Sequence, residues 1–167
     1  TKIHLFGSII DEFVGKIVKI DLTRSLRGKS LELRMRVVKV GEELEGNPLS
    51  LELMGSYVRR MIRKGTDYVE DSINCESKNS KIIVKTFLIT RNKVSRAVRK
   101  ALRETSRNFI ISYFKNLSNK DIFSEIMTNK IQKELYIKLK KIYPLALCEI
   151  RYFEVISMNE AIEKKDI

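Results

Sequence analysis

The sequence has few of the residue types from which catalytic and metal sites are built. Its 167 residues include one histidine, two cysteines and no tryptophan. Cys75 and Cys148 are far apart and neither belongs to a C-x-x-C pair, so neither a zinc site nor a disulfide framework is supported, and we expect two reduced thiols. His4 has no second histidine to join in a metal cluster, and no glycine-rich phosphate-binding motif occurs. We therefore predict that the protein is not an enzyme and has no cofactor.

Chain breakers and long apolar runs are also scarce. Seven glycines and two prolines are spread over the chain, too few for a flexible linker between domains. No apolar run approaches the ~18 residues that span a bilayer, and the first residues do not resemble a signal peptide. We expect a soluble, cytoplasmic protein without a membrane partner, in which residues 1–158 form one globular domain and residues 159–167 form a polar tail.

What the sequence has in excess is positive charge. The formal net charge is +12 and the isoelectric point is about 9.7, values that favour nucleic acid or another anionic surface as the partner. Hydrophobic residues make up 43% of the chain, which is enough to bury a core in a domain of this length. Net charge alone does not choose between the two kinds of partner.

The charge is densest in the stretch Thr90–Arg107. At helical spacing Val98 and Leu102 fall on one face, and five of its cations fall on another: Arg96, Arg99, Lys100, Arg103 and Arg107. A charged helix face is most often solvated and balanced by alternating signs, but here Glu104 is the only acid, so the like charges repel one another until an anion neutralises them. We predict that this stretch binds a phosphate backbone or another acidic partner through Arg91, Lys93, Arg96, Arg99, Lys100, Arg103 and Arg107.

A second basic cluster ends the predicted helix before it. This helix is expected to begin at Ser50, which can cap it, and to end at Gly65. One or two cations would complement the helix dipole, but the cluster has four in six residues, so contacts to phosphates are as good an explanation as the dipole. Tyr57, one turn earlier, is either a base-stacking residue or part of the core. The cluster consists of Arg59, Arg60, Arg63 and Lys64.

The spacing of apolar residues predicts the remaining elements. Alternation with a period of two predicts strands at 16–22, 31–37, 67–76 and 145–156. The run at 81–90 is typical of a central strand buried on both faces. A short strand is expected around Leu44 and is ended by Gly46, and helices are expected at about 121–127 and 129–142. The fold class is therefore α+β: an antiparallel sheet, open or barrel-like, flanked by three to four helices.

The sequence lacks the signatures of common base-reading modules. Neither the G-x-x-G loop of KH domains nor the aromatic strand signature of RRM domains occurs. We expect recognition to depend on charge and shape, with low sequence selectivity. Two functions are compatible with such a surface: a structural protein of a ribonucleoprotein particle, or a free-standing RNA-binding chaperone or regulatory module.

Three stretches carry motifs that occur in the same order in a known protein family. They are L-M-G-S-Y-V-R-R-M-I-R-K-G-T at 53–66, A-V-R-K at 97–100, and K-I-Y-P-L at 141–145 followed by E-I-R at 149–151. The first is similar to a helix that ends in a basic pair before Gly-Thr, the second to part of a basic helix, and the third to a C-terminal signature. In these features the chain, from about Val14 to Ile156, resembles the S-three-a-type ribosomal proteins of archaeal and eukaryotic small subunits.

The resemblance implies a structural protein of the small ribosomal subunit, with a sheet or barrel flanked by helices. It implies binding to ribosomal RNA on the platform near the messenger exit side. Partners would be small-subunit ribosomal RNA, neighbouring platform proteins, and messenger RNA and initiation factors that pass close by. The chain departs from the family at Arg96, where a glutamine is usual, and at its start, T-K-I-H-L-F, where family members usually have a basic N-terminal extension. Family contacts made by those segments are not carried over.

Overall fold

The computed structural model describes residues 5–6, 10–26, 28–41, 43–78 and 80–158. His4 and the predicted tail at 159–167 lie outside the described residues. A short 3-10 helix at Ile10–Phe13 comes first. The elements that follow are β1 (Ile17–Asp21), β2 (Leu31–Val40), β3 (Glu43–Leu53), α1 (Gly55–Met61), β4 (Tyr68–Glu76), β5 (Ser80–Thr90), α2 (Arg96–Phe114), α3 (Asn119–Met127), α4 (Lys130–Lys140) and β6 (Leu145–Met158).

A single antiparallel sheet contains these strands in the order β1-β2-β3-β6-β5-β4. Its edges, β1 and β4, do not pair with each other within the described residues, so the sheet is open. The predicted α+β class with an antiparallel sheet is confirmed, and of the two forms considered, the open one is present. The contact between β3 and β6 is short and covers Ser50 to Glu52.

Strand β3 is longer than the sequence pattern indicated. The break expected at Gly46 is wrong, because β3 continues through Pro48 and pairs with β2 from end to end. The register shifts opposite Arg34 and Met35, and such a bulge accommodates a proline, which cannot donate a ladder hydrogen bond. Glycine suits position 46 because a Cβ there would lie 3.1 Å from the Sδ of Met35.

The helix predicted from Ser50 to Gly65 is wrong at both ends. Ser50 belongs to β3, in which Leu51 and Leu53 are buried, and α1 covers only Gly55–Met61. The two leucines fit a strand as well as a helix in the sequence, and pairing of Leu51 with Phe153 in β6 decides in favour of the strand.

The three later helices cover one face of the sheet. Phe153 of β6 is fully buried, and its ring lies 6.2 Å from that of Phe114 in α2 and 4.8 Å from that of Phe123 in α3. On the opposite face, Val58 of α1 lies beside Phe87. The C-terminal half of β5 is therefore buried on both faces, as predicted, whereas its N-terminal half is buried on one.

Both cysteines are free thiols within the core. Burial raises the pKa of Cys75 to about 11 and that of Cys148 to about 12, because desolvation disfavours the thiolate. We expect neither thiol of the folded protein to react with iodoacetamide near neutral pH, and both to react in concentrated guanidinium chloride. Mass spectrometry of the treated protein shows which cysteines have been alkylated. Alkylation of either cysteine in the folded protein at the rate of a free thiol would contradict this assignment.

Candidate nucleic-acid interface

One end of the sheet brings together three segments that are far apart in the sequence. In the antiparallel register Tyr68 at the start of β4 lies opposite Ile89, and Thr90 at the end of β5 lies opposite Leu145 at the start of β6. The residues that precede β4, follow β5 and precede β6 therefore emerge at the same end of the sheet.

Hydrogen bonds hold these segments to one another. The backbone N–H of Thr90 donates to the carbonyl oxygen of Asp67 at 2.9 Å, and the backbone N–H of Val94 donates to the Asp67 carboxylate at 2.9 Å. The backbone N–H of Arg91 donates to the carbonyl oxygen of Pro144 at 3.3 Å. Thr90 itself is fully buried. The loop after β5 is thus fixed against both neighbouring segments.

The three segments and the first residue of α2 present a group of exposed cations, which we call the basic end. None of them lies within 4.0 Å of a carboxylate oxygen in the part of the chain that the structure describes. Like charges gathered in this way create a local positive potential that favours an anionic partner. The basic end consists of Arg63, Lys64, Arg91, Lys93, Arg96, Lys140 and Lys141.

The basic helix begins later than the sequence indicated. Thr90 stays in β5, and α2 starts at Arg96 after Ser95, whose hydroxyl accepts a hydrogen bond from the Val98 N–H at 3.4 Å. Ser95 is a typical N-cap, and α2 begins at Arg96, the first of the cations that helical spacing placed on one face. The predicted residues Arg91 and Lys93 are therefore in the preceding loop.

The second predicted cluster is also divided between two places. Arg59 and Arg60 lie in the last turn of α1, whereas Arg63 and Lys64 follow the helix and belong to the basic end. Tyr57 is partly buried against the core, and the Arg60 guanidinium lies 5.9 Å from the centre of its ring. Its position matches the second of the two roles considered, that of a core residue.

The outer face of α2 carries cations and its inner face packs, as predicted. Arg96, Lys100 and Arg103 are exposed, and Leu102 is fully buried. The Lys100 ammonium lies 3.8 Å from the Glu104 carboxylate, a pair that is well exposed and therefore weak. Arg99 is half-buried, and its Nε is enclosed without a hydrogen-bond partner in the described structure.

Arg107 already has a carboxylate partner in the fold. Its Nε and Nη2 donate to the two oxygens of Asp71 in β4 at 3.0 and 2.8 Å. This hydrogen bonding raises the pKa of Arg107 above its usual value, and the Asp71 side chain is almost buried. The arrangement ties α2 to the edge strand, so Arg107 positions the helix and has little free capacity for a phosphate.

Lys140 and Lys141 were not among the residues predicted from the sequence. They lie at the end of α4, and the run K-L-K-K at 138–141 was visible in the sequence. What the sequence did not show is that the end of α4 lies beside the loop after β5. That proximity follows from the pairing of β6 with β5.

Other kinds of site find no support in the described part of the chain. No group of three or more histidine, cysteine, aspartate or glutamate residues there could hold a metal ion. None of the described helices combines the length and apolar character needed to cross a membrane.

Similarity to known proteins extends over most of the chain. It is 28% identical over 149 residues to small ribosomal subunit protein eS1 of Nanoarchaeum equitans, covering 86% of this chain and 75% of that protein. For eS1 of Methanothrix thermoacetophila the identity is 25% over 155 residues, with 92% and 71% covered. For eS1 of Saccharolobus solfataricus it is 24% over 161 residues, with 93% and 77% covered. The model of the Ribosomal S3Ae family matches residues 11–159, and the chain therefore belongs to this family, as its three motifs predicted.

Proposed function

We propose that the protein is a structural constituent of the small ribosomal subunit that binds ribosomal RNA through the basic end and the outer face of α2. Membership of the Ribosomal S3Ae family and relatives named small ribosomal subunit protein eS1 support the ribosomal role. The protein then works in the cytoplasm as part of the ribosome, without catalytic activity of its own.

The RNA-binding part of this proposal is supported above all by the group of exposed cations at the basic end. Three segments and one helix start contribute exposed cations that lack carboxylate partners among the described residues. Ribosomal RNA is a polyanion, and cations that neutralise its phosphates release condensed counterions on binding. Because phosphate contacts fix position without reading sequence, the interface selects RNA mainly by shape.

The individual cations have different roles in this proposal. Residues of the basic end, with Lys100 and Arg103, contact phosphates directly, and Arg59 and Arg60 extend the surface along α1. Arg99 contributes its exposed atoms, and Arg107 positions α2 through Asp71. The RNA-binding domain comprises residues 1–158, with residues 159–167 as a tail.

The family resemblance supports a proposal for the place of the protein in the subunit. We place it on the platform near the messenger exit side, beside other platform proteins. Messenger RNA and initiation factors pass close to it during initiation. The basic end faces ribosomal RNA in this arrangement.

The salt dependence of RNA binding tests the proposal. If about six phosphates are neutralised, the logarithm of the affinity for small-subunit ribosomal RNA should fall against the logarithm of salt concentration with a slope of roughly −4 to −5. A filter-binding or fluorescence titration at several salt concentrations measures this slope. A flat dependence would end the proposal. Equal affinity for unrelated RNA, together with absence from small subunits in lysates, would instead favour a free-standing RNA chaperone.

A further inference from the structure

A groove beside α1 exposes an aromatic ring next to the basic end. Tyr68, the first residue of β4, is 53% exposed, and its ring lies against that of the buried Phe87, with centroids 6.1 Å apart. Ile62, which is 41% exposed, lines the same groove. The groove has a volume of about 440 Å³. A half-exposed ring with an apolar neighbour offers a surface that a flat group can cover.

Two guanidinium groups complete the walls of this groove. Arg59 comes from α1 and Arg151 from β6. The Arg151 Nη1 donates to Glu70, a carboxylate that also lines the groove, so the charge of Arg151 is paired. Arg59 has no carboxylate within 4.0 Å in the described chain. Tyrosine rings and guanidinium planes are the side-chain groups on which unstacked RNA bases pack.

The groove is continuous in sequence with two cations of the basic end. Arg63 and Lys64 lie in the turn just before Tyr68, where the Thr66 N–H donates to the Arg63 carbonyl oxygen at 3.3 Å. Both side chains are exposed. Arg59 in the wall of the groove and these two cations in the adjoining turn give this side of the molecule a positive charge. This charge favours nucleic acid over an apolar protein segment as the occupant.

We propose that this groove, the Tyr68 groove, binds one unpaired base of RNA by stacking on Tyr68, while Arg63 and Lys64 hold the adjoining phosphates. The inference rests on the RNA binding proposed above and adds a preference for a single-stranded segment at this point. Stacking is available to every base, since each has a π-face, so the groove distinguishes unpaired from paired RNA and not one base from another.

Replacement of the tyrosine separates stacking from charge. Base stacking on an aromatic side chain contributes about 1–3 kcal/mol by alanine substitution, so Tyr68→Ala should weaken binding of an unstructured RNA oligonucleotide about 5-fold or more. The slope of the logarithm of the affinity against the logarithm of the salt concentration should stay unchanged, because no phosphate contact is removed. Tyr68→Phe, which keeps the ring, should bind within about 2-fold of the unchanged protein. An RNA duplex should bind equally to all of these forms, because its bases are already stacked.

Two further variants serve as controls. Tyr68→Leu keeps apolar cover over Phe87 without a π-face, and it should lose affinity as Tyr68→Ala does. Lys64→Ala should instead lower the salt slope by about 1 and weaken binding to oligonucleotide and duplex alike. Thermal unfolding of each variant identifies losses that come from a damaged fold.

Three results would overturn the inference. Wild-type affinity of Tyr68→Ala for the oligonucleotide excludes stacking, and wild-type affinity of Tyr68→Leu shows that the groove accepts any apolar contact. An equal loss for oligonucleotide and duplex shows that the substitution acts on the fold or the charge. If one of these results is found while the unchanged protein binds RNA with a steep salt dependence, the proposed function stands. Only the base-stacking role of the Tyr68 groove is then refuted.

Discussion

Replacement of Lys93, Arg96 and Lys141 by glutamate should lower the affinity for small-subunit ribosomal RNA about 100-fold or more at physiological salt. The three residues come from the loop after β5, the start of α2 and the end of α4, so the variant removes charge from three of the segments that meet at the basic end. If each makes one phosphate contact, the slope of affinity against salt should become shallower by about 2 to 3. Titrations of the variant and the unchanged protein over the same salt series measure both quantities.

The matched control reverses the charge of three lysines that lie away from the basic end. Lys19, Lys81 and Lys115 are exposed and lie in β1, at the start of β5 and just after α2. Their replacement by glutamate changes the net charge by as much, but away from the basic end. This control should lose only a few-fold in affinity, through the general field of the protein. If the two triple variants lose affinity equally, net charge and not the basic end governs RNA binding.

Replacement of Phe153 by alanine should lower the free energy of unfolding by about 3–5 kcal/mol. The ring is fully buried and contacts Phe114 and Phe123 of two helices, so its loss leaves a cavity where α2 and α3 meet the sheet. Neighbouring aromatic rings cannot collapse into the space without leaving their own contacts. Unfolding in urea, monitored by circular dichroism, measures the change as a lower midpoint with an unchanged slope.

Ile156 of the same strand is the control for this substitution. Its side chain is 56% exposed, and Ile156→Ala should alter the free energy of unfolding by no more than about 0.5 kcal/mol. A loss below about 1 kcal/mol for Phe153→Ala would show that the helices are not anchored through this ring.

Local sequence patterns predicted the secondary structure correctly where long-range pairing agrees with them. The alternation around Leu31 and in 145–156 corresponds to strands β2 and β6 of the structure. The family predicted from three motifs was confirmed by the comparison with known proteins. Local patterns gave a wrong prediction at Gly46 and Pro48. Both residues disfavour a strand, but long-range pairing with β2 keeps them in β3.

The candidate interface was predictable in composition but not in arrangement. Arg91, Lys93 and Arg96 were visible as a dense run that was expected to follow β5 directly as a helix, but α2 begins only at Arg96. Lys141 joins them through the register of β6 on β5, which no local pattern encodes. The sequence likewise did not indicate that the Asp71 carboxylate accepts hydrogen bonds from Arg107. The contacts of these residues with RNA stay a prediction.

Sedimentation of the protein with small ribosomal subunits tests the central claim most directly. The unchanged protein and the Lys19/Lys81/Lys115 control should run with small subunits in a gradient at low salt and be released as salt rises. The Lys93/Arg96/Lys141 variant should stay at the top of the gradient at the same low salt, with an unchanged thermal unfolding curve. Sedimentation of this folded variant with small subunits as fully as the unchanged protein would contradict the account.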